Sequence, residues 1–286
     1  MKQKILLVLF GIMLLAPGLS FTLRSVLAQD SIPADTLPVA EPTEIRSRPV
    51  VYLLTVEDAI TAVTDDRIRE AIGRATEEKA ALLVVQLDTP GGFSKPTSSI
   101  CKKFLNSEVP VCVYVAPSGS RAGSAGVYMT YAAHFAAMAP STNIGAAHPV
   151  SGGGEEVDSI MNEKITNDAV AQIKAAADKR GRNAEWAERA VRESVSVPDR
   201  EALELNVIDI RAKNLSELLE ELDGRTADLP GGETVLNLKD AETREIEMTL
   251  AQQLLGLLAS PDIAFLLFSI GGLGIVLELY NPGAIF

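Results

Sequence analysis

Residues 81–92 read Ala81-Leu82-Leu83-Val84-Val85-Gln86-Leu87-Asp88-Thr89-Pro90-Gly91-Gly92. Ala81 to Leu87 is apolar on both faces, as a strand inside a parallel sheet must be. It ends in a Gly-Gly turn, and helical spacing resumes from Ser94 to Asn106. Outward from this unit the same alternation repeats. Upstream lie a β-branched run from Val50 to Val56 and a helix from Asp65 to Lys79, with Ile68 and Ile72 four apart. Downstream come a strand over Val109 to Val115, a small-residue helix over Ser124 to Ala133, and a short strand over Phe135 to Ala139. The order βαβαβαβ predicts an α/β layer fold with right-handed crossovers.

Helical content then rises, with amphipathic segments at Thr166 to Arg180 and Ala184 to Glu193. A helix opening at Pro198 and ending at Leu205, a strand over Val207 to Ile210 and a helix over Leu215 to Leu222 follow. Residues 225–247 alternate weakly and read as a β-containing appendage or linker.

Both ends differ from this body. Met1-Lys2-Gln3-Lys4 is basic, Ile5 to Leu15 is apolar, and Val26-Leu27-Ala28 resembles a cleavage site. Residues 1–28 are therefore expected to be a signal peptide, an uncleaved anchor being the other reading, and the body to lie outside the cytoplasm. Residues 29–48 are rich in Pro, Ser, Thr and acidic residues and read as a disordered linker. At the C-terminus, 248–286 begins with an amphipathic stretch suited to an interface. Ile263 to Tyr280 follows, close to the length that crosses a bilayer. A buried core helix is the alternative for that stretch.

The net charge of −12 over 286 residues leaves no basic patch for nucleic acid. The two cysteines, Cys101 and Cys112, are expected as buried free thiols, although a disulfide is allowed in an oxidising compartment. No Cys/His spacing fits zinc, and no cofactor is implied.

One constellation carries chemistry. Ser124 stands in Ala122-Gly123-Ser124-Ala125-Gly126, among residues too small to block an approaching group. The Gly91-Gly92 turn lies one βα unit before it. Acyl transfer needs a nucleophile and backbone N–H donors for an oxyanion, and these two segments supply both. The plain alternative is that Ser124 caps its helix and that Gly-Gly is only a turn.

The motifs Asp88-Thr89-Pro90-Gly91-Gly92, Gly123-Ser124-Ala125-Gly126, Met138-Ala139-Pro140-Ser141-Thr142-Asn143-Ile144-Gly145-Ala146 and Lys164-Ile165-Thr166-Asn167 occur in that order. Glu201-Ala202-Leu203, Asn206-Val207-Ile208-Asp209 and Asn281-Pro282-Gly283 follow. From Val50 to Phe286 the chain resembles the N-terminal protease domain of the long NfeD family, membrane-bound serine proteases of the ClpP/crotonase superfamily. The resemblance implies a right-handed βαβ superhelix over 49–224 and a homo-oligomer, dimer or higher. It implies a Ser–Lys dyad of Ser124 and Lys164, with Gly92 and Ala125 N–H groups as the oxyanion donors. It also implies an apolar peptide substrate, a stomatin-type membrane partner, and a catalytic domain on the periplasmic or cell-surface side.

Three questions stay open at this level. A lysine works as a base only when desolvation favours its neutral amine, yet Lys164 sits among Asn162, Glu163, Thr166 and Asn167. His148, 24 residues after Ser124 and before a Pro, is the alternative base, since histidine titrates near neutrality; Asp158 and Asp168 are its candidate acids. Asp88 suits a turn-stabilising carboxylate, Tyr128 a pocket wall and His134 a core or surface position. The rival functions are a crotonase-type acyl-CoA reaction, which a secretory signal disfavours, and a non-catalytic scaffold for a stomatin-type partner.

Overall fold

The computed structural model describes residues 48–150, 158–259 and 261–280. The expected signal peptide, the linker as far as residue 47 and the Asn281-Pro282-Gly283 motif lie outside the described residues.

The strands are β1 (Val50–Glu57), β2 (Leu82–Asp88), β3 (Val111–Val115), β4 (Arg121–Gly123), β5 (Phe135–Met138), β6 (Asn143–Gly145), β7 (Ser196–Pro198), β8 (Ile210–Arg211), β9 (Thr226–Leu229), β10 (Gly232–Val235) and β11 (Glu242–Glu245). The helices are α1 (Ala62–Glu77), α2 (Ser94–Leu105), α3 (Ala125–Ala132), α4 (Ser159–Arg180), α5 (Ala184–Arg192), α6 (Asp199–Glu204), α7 (Leu215–Leu222), α8 (Leu250–Ala259) and α9 (Pro261–Tyr280).

The main sheet has the order β11-β1-β2-β3-β5-β8, and every pairing in it is parallel. Parallel neighbours require crossovers, and α1, α2 and α3 supply them between successive strands. Side chains of a strand alternate between faces, and here each face has its own core. Leu83, Val85 and Leu87 of β2 pack with Ile68 of α1, Ile100 and Phe104 of α2, and Val127 of α3. Leu82 and Val84 face the other way, into a cluster with Cys112, Tyr114, Leu218 and Leu222 of α7, and Leu236. The α/β fold with a parallel sheet expected from the alternation is the fold of the protein. Truncating a fully buried anchor such as Phe104 to Ala would cost roughly 3–5 kcal/mol.

The structure differs from the sequence reading in several places; the strand expected over Val207 to Ile210 is only the two-residue β8 at Ile210–Arg211, and three further differences follow. First, α4 starts at Ser159, ahead of the amphipathic spacing, because Ile160 and Met161 in its first turn are exposed and no packed face marks the start. Second, β4, β6 and β7 form a small separate sheet. Each is three residues long and two of them end in glycine, too short for any periodicity. Third, within residues 225–247, expected to contain β structure, β9 and β10 make a separate hairpin, while β11 pairs with β1 and extends the main sheet. β11 reads Glu-Thr-Arg-Glu because it is a sheet edge, where charge discourages further pairing.

α9 is apolar apart from Asp262, Ser269 and Glu278. Its segment Ile263–Tyr280 has a mean hydropathy of 2.1, and none of it is buried. At 1.5 Å per residue it is about 27 Å long, close to the hydrocarbon thickness of a bilayer. α8 leaves Leu250, Leu254, Leu255 and Leu258 exposed, while Gln252 donates to Glu70 of α1 at 2.7 Å.

Candidate active site

Two loops meet at the C-terminal end of β2, and their backbones are stitched together. The Thr89 N–H donates to the Arg121 carbonyl at 2.8 Å, and the Gly123 N–H donates to the Thr89 carbonyl at 2.9 Å. The Arg121 N–H donates to the Asp88 carboxylate at 3.0 Å, which gives Asp88 the loop-fixing role expected of it. Inside the first loop, the Thr89 hydroxyl donates to the Gly91 carbonyl at 2.9 Å and accepts from the Gly91 N–H at 3.1 Å.

Glycine is required at both turn positions. Gly91 has φ +136°, and a Cβ there would stand 2.8 Å from the Cβ of Ser124. A Cβ on Gly92 would meet the backbone of Ile60 at 2.3 Å. The Gly-Gly pair thus lets one backbone pass close by the serine.

Ser124 lies at the junction of β4 and α3, half-buried, with φ 46° and ψ −106°. That backbone is rare for a residue with a side chain, and strain of this kind costs of order 1–3 kcal/mol unless the surroundings impose it. Here its N–H donates to the Gly145 carbonyl of β6 at 3.1 Å. Ser124 holds the N-cap position of α3, its carbonyl accepting from the Val127 N–H at 3.0 Å, but its side chain makes no capping hydrogen bond. The hydroxyl stands at the positive end of that helix.

Ser124, Gly92 and Ala125 line one cavity of about 120 Å³, together with Thr97, Cys101 and Tyr128. Among the described residues, neither the Gly92 nor the Ala125 N–H has an acceptor. Ala125 is the first residue of α3, where helical amides are unpaired by construction. A nucleophile-type hydroxyl and two unclaimed donors therefore share one small space. Chemically, that arrangement can hold a carbonyl, accept its developing negative charge and present an alcohol to its carbon.

Lys164 is on the exposed side of α4, without a partner among the described residues. It is not a wall residue, but Ile165, the next position, is. The structure brings Ser124, Gly92 and Ala125 together and leaves Lys164 at the margin.

His148 is held elsewhere. Ala147 and Pro149 on either side line the cavity, while its Nδ1 donates to the Val191 carbonyl of α5 at 2.8 Å. Of the candidate acids, Asp158 sits exposed at the start of α4. Asp168 lines the cavity and accepts from Gln172 at 2.6 Å. Neither is bonded to His148.

Tyr128 lines the cavity as expected and donates to the Ala147 carbonyl at 3.2 Å. Burial raises the pKa of its hydroxyl, with Cys101 and Asp168 adding to the effect. Burial also pushes the Cys101 thiol up to about 12, so it remains protonated. Cys101 and Cys112 are both free and belong to opposite faces of the sheet. His134 is a core residue whose Nδ1 accepts from the Val111 N–H at 3.2 Å. Among the described residues no cluster of His, Cys, Asp or Glu is placed to hold a metal ion.

The cavity wall from α2, Ser94, Thr97, Ser98 and Cys101, was not marked by any motif. Its only sequence signal is helical spacing, which does not say what the helix faces.

The family description "NfeD1b, N-terminal domain" matches residues 50–246. The membrane-bound protease PH1510 of Pyrococcus horikoshii is 33% identical over 242 residues, which are 84% of this chain and 55% of that protein. The membrane protein NfeD1b of Bacillus subtilis is 27% identical over 237 residues, 82% of this chain and 52% of that protein. The chain spans about half the length of the curated relatives it matches. Two solved structures of a protein described as 1510-N membrane-bound stomatin-specific protease also match. A lysine-to-alanine variant in complex with a substrate peptide has TM-score 0.68 and 33% identity, covering 73% of this chain and 97% of that one. A serine-to-alanine variant has TM-score 0.66 and 34% identity, covering 71% and 100%.

Proposed function

The chain belongs to the NfeD1b N-terminal-domain family, and on that premise we propose that it is a membrane-anchored serine endopeptidase. The observation that carries this reading is the strained Ser124, its hydroxyl making no capping bond, sharing one cavity with Gly92 and Ala125, whose N–H groups have no acceptor among the described residues.

In the proposed reaction the Ser124 hydroxyl oxygen attacks the scissile carbonyl carbon, and its proton passes to a neutral Lys164 amine. The oxyanion forms between the Gly92 and Ala125 amides. The carbon–nitrogen bond then breaks as Lys164 returns the proton to the leaving amine. Water, deprotonated by the same amine, hydrolyses the acyl-enzyme. Losing one amide donor in such a site costs roughly 3–4 kcal/mol of transition-state stabilisation.

Lys164 as base is supported from outside this chain. The serine and the lysine replaced in the two solved variants are separated along their chain by one residue more than Ser124 and Lys164 are here. Desolvation of the amine is assigned to bound substrate. Phe93, Ile160, Met161 and Ile165 leave apolar surface exposed beside the cavity and on the first turns of α4. An apolar peptide laid across them would remove water from Lys164 and favour its neutral form.

That surface also supports an apolar segment as substrate, and the relative described as stomatin-specific points to a stomatin-type membrane protein as its source. A signal segment ahead of the domain would place it on the outer side of the membrane, and α9 would hold it there, in a homo-oligomer.

The test is fluorophosphonate labelling and peptide cleavage by the full chain in detergent. Ser124→Ala is expected to abolish both, and Lys164→Ala to remove cleavage while His148→Ala retains it. No labelling and no cleavage by the parent chain would overturn the reading in favour of a scaffold, and labelling that persists in Ser124→Ala would remove Ser124 as the nucleophile. Cleavage lost in His148→Ala and kept in Lys164→Ala would transfer the base to histidine.

A further inference from the structure

Among the described residues that line the cavity beside Ser124, Asp168 is the sole charged side chain. The rest of the wall is apolar or neutral and polar, the latter being hydroxyls, the Cys101 thiol and the Gln172 amide, with Ile165 and Ala169 flanking Asp168 on the same helix. Its partner is the neutral amide of Gln172, which donates to one carboxylate oxygen at 2.6 Å. Among the described residues no basic side chain pairs with it. Arg192, the guanidinium bound to the adjacent Asn167 at 2.9 Å, is committed to Glu188 at 2.8 Å. A carboxylate with spare acceptor capacity at the edge of a small, largely apolar space attracts a cation or a strong donor.

Resting on the peptidase reading above, we propose that Asp168 is a specificity-determining residue that receives a lysine or arginine side chain of the substrate. The cavity takes an apolar residue next to the scissile bond, and the basic residue lies beside it, its stem along Ile165 and its charged head at Asp168. Long basic side chains cover apolar surface in this way while keeping the charge in a polar setting. The substrate class is thus an apolar segment bordered by a basic residue. Such sequences occur where membrane-embedded segments meet the interface, since Lys and Arg collect there. α9 would keep the enzyme at that same boundary.

The test uses the full chain in detergent and fluorogenic apolar peptides carrying Lys, Gln or Glu at each position flanking the cleavage site in turn. Asp168 is exposed, so at one position the Lys peptide is expected to exceed the Gln peptide in kcat/KM by about fivefold, the upper size of an exposed ion pair, with Glu lowest. Asp168→Asn, which retains an acceptor for Gln172, should bring the Lys-to-Gln ratio close to one. Asp168→Lys should invert it in favour of Glu. A ratio unchanged in Asp168→Asn, or no Lys preference at any position, would overturn the assignment. Each peptide is also run with Ser124→Ala. Cleavage persisting there defeats the peptidase reading itself, whereas Ser124-dependent cleavage with an unaltered ratio defeats only the role of Asp168.

Discussion

Arg182 and Asp209 meet at 2.6 Å beneath the C-terminal end of α3, the helix whose other end presents Ser124. The Arg182 side chain is wholly buried, and its guanidinium also donates to the carbonyls of Thr130, Tyr131, Ala133 and His134. Asp209 in turn accepts from the Ala136 N–H at 2.7 Å, at the start of the next strand. Arg182, with Arg180 donating to the Ala132 carbonyl at 3.1 Å, therefore answers the negative pole of α3 and its orphan carbonyls.

The first prediction follows from that pair. Asp209→Asn leaves a buried guanidinium short of its counter-charge, and breaking a buried pair from one side costs about 3–5 kcal/mol. Denaturant midpoints should fall accordingly, by the same order in Arg182→Met. A loss below about 1 kcal/mol in both would mean the pair is not what secures α3.

His134, at the same end of α3, sets a pH dependence. Burial, with Arg180 and Arg182 adding to it, lowers its pKa from 6.5 to about 3. The unfolded chain then binds a proton on this residue between those values and the folded chain does not, so stability rises with pH across that window. Its contribution is complete above pH 6.5 and is lost on acidification toward about 3, at a slope of at most about 1.4 kcal/mol per pH unit. His134→Asn can still accept from Val111 and should flatten this slope in urea titrations run at successive pH values. An unchanged slope would assign the dependence to other groups.

How much of this was legible beforehand depends on whether the cause is local. The strand–turn–helix around Gly92 and Ser124 was readable because the strained turn and the close approach demand small residues in sequence. The wall built by Thr97, Ser98 and Cys101 was not, since which side of α2 meets a cavity is decided by the packing of Phe104 and Ile100 against the sheet. His148 has a suggestive distance from Ser124 in the chain. Its ring direction, however, is set by the Val191 carbonyl, 43 residues further on, which no local pattern encodes. β11 was hidden for a different reason, because a polar sheet edge carries no apolar alternation.

The Gly-Gly turn supplies a test of the site that leaves every side chain with a functional role in place. Gly91→Ala adds a methyl 2.8 Å from the Ser124 Cβ at a backbone angle that alanine resists. Displacing the serine or the Gly92 amide by even about 1 Å is expected to lower kcat by about 10²-fold. Stability should fall by a smaller margin, roughly 1–3 kcal/mol. Peptide turnover measured beside thermal unfolding separates the two effects. Full activity in Gly91→Ala would show that the turn and the serine are not coupled.

The last prediction concerns α9. Ile263–Tyr280 is exposed and apolar apart from Ser269 and Glu278, so in water its Phe265, Phe268 and Leu279 would be left unpacked. A bilayer resolves this, and the cost of a charge there then becomes measurable. Ile270 is near the centre of the segment. An arginine at a helix centre disfavours insertion by about 2.5–3.5 kcal/mol. Ile270→Arg should therefore release a substantial share of the chain from membranes on alkaline carbonate washing, whereas Ile270→Leu should remain in the pellet. Equal retention of both variants would mean that this helix is held by protein contacts and not by lipid.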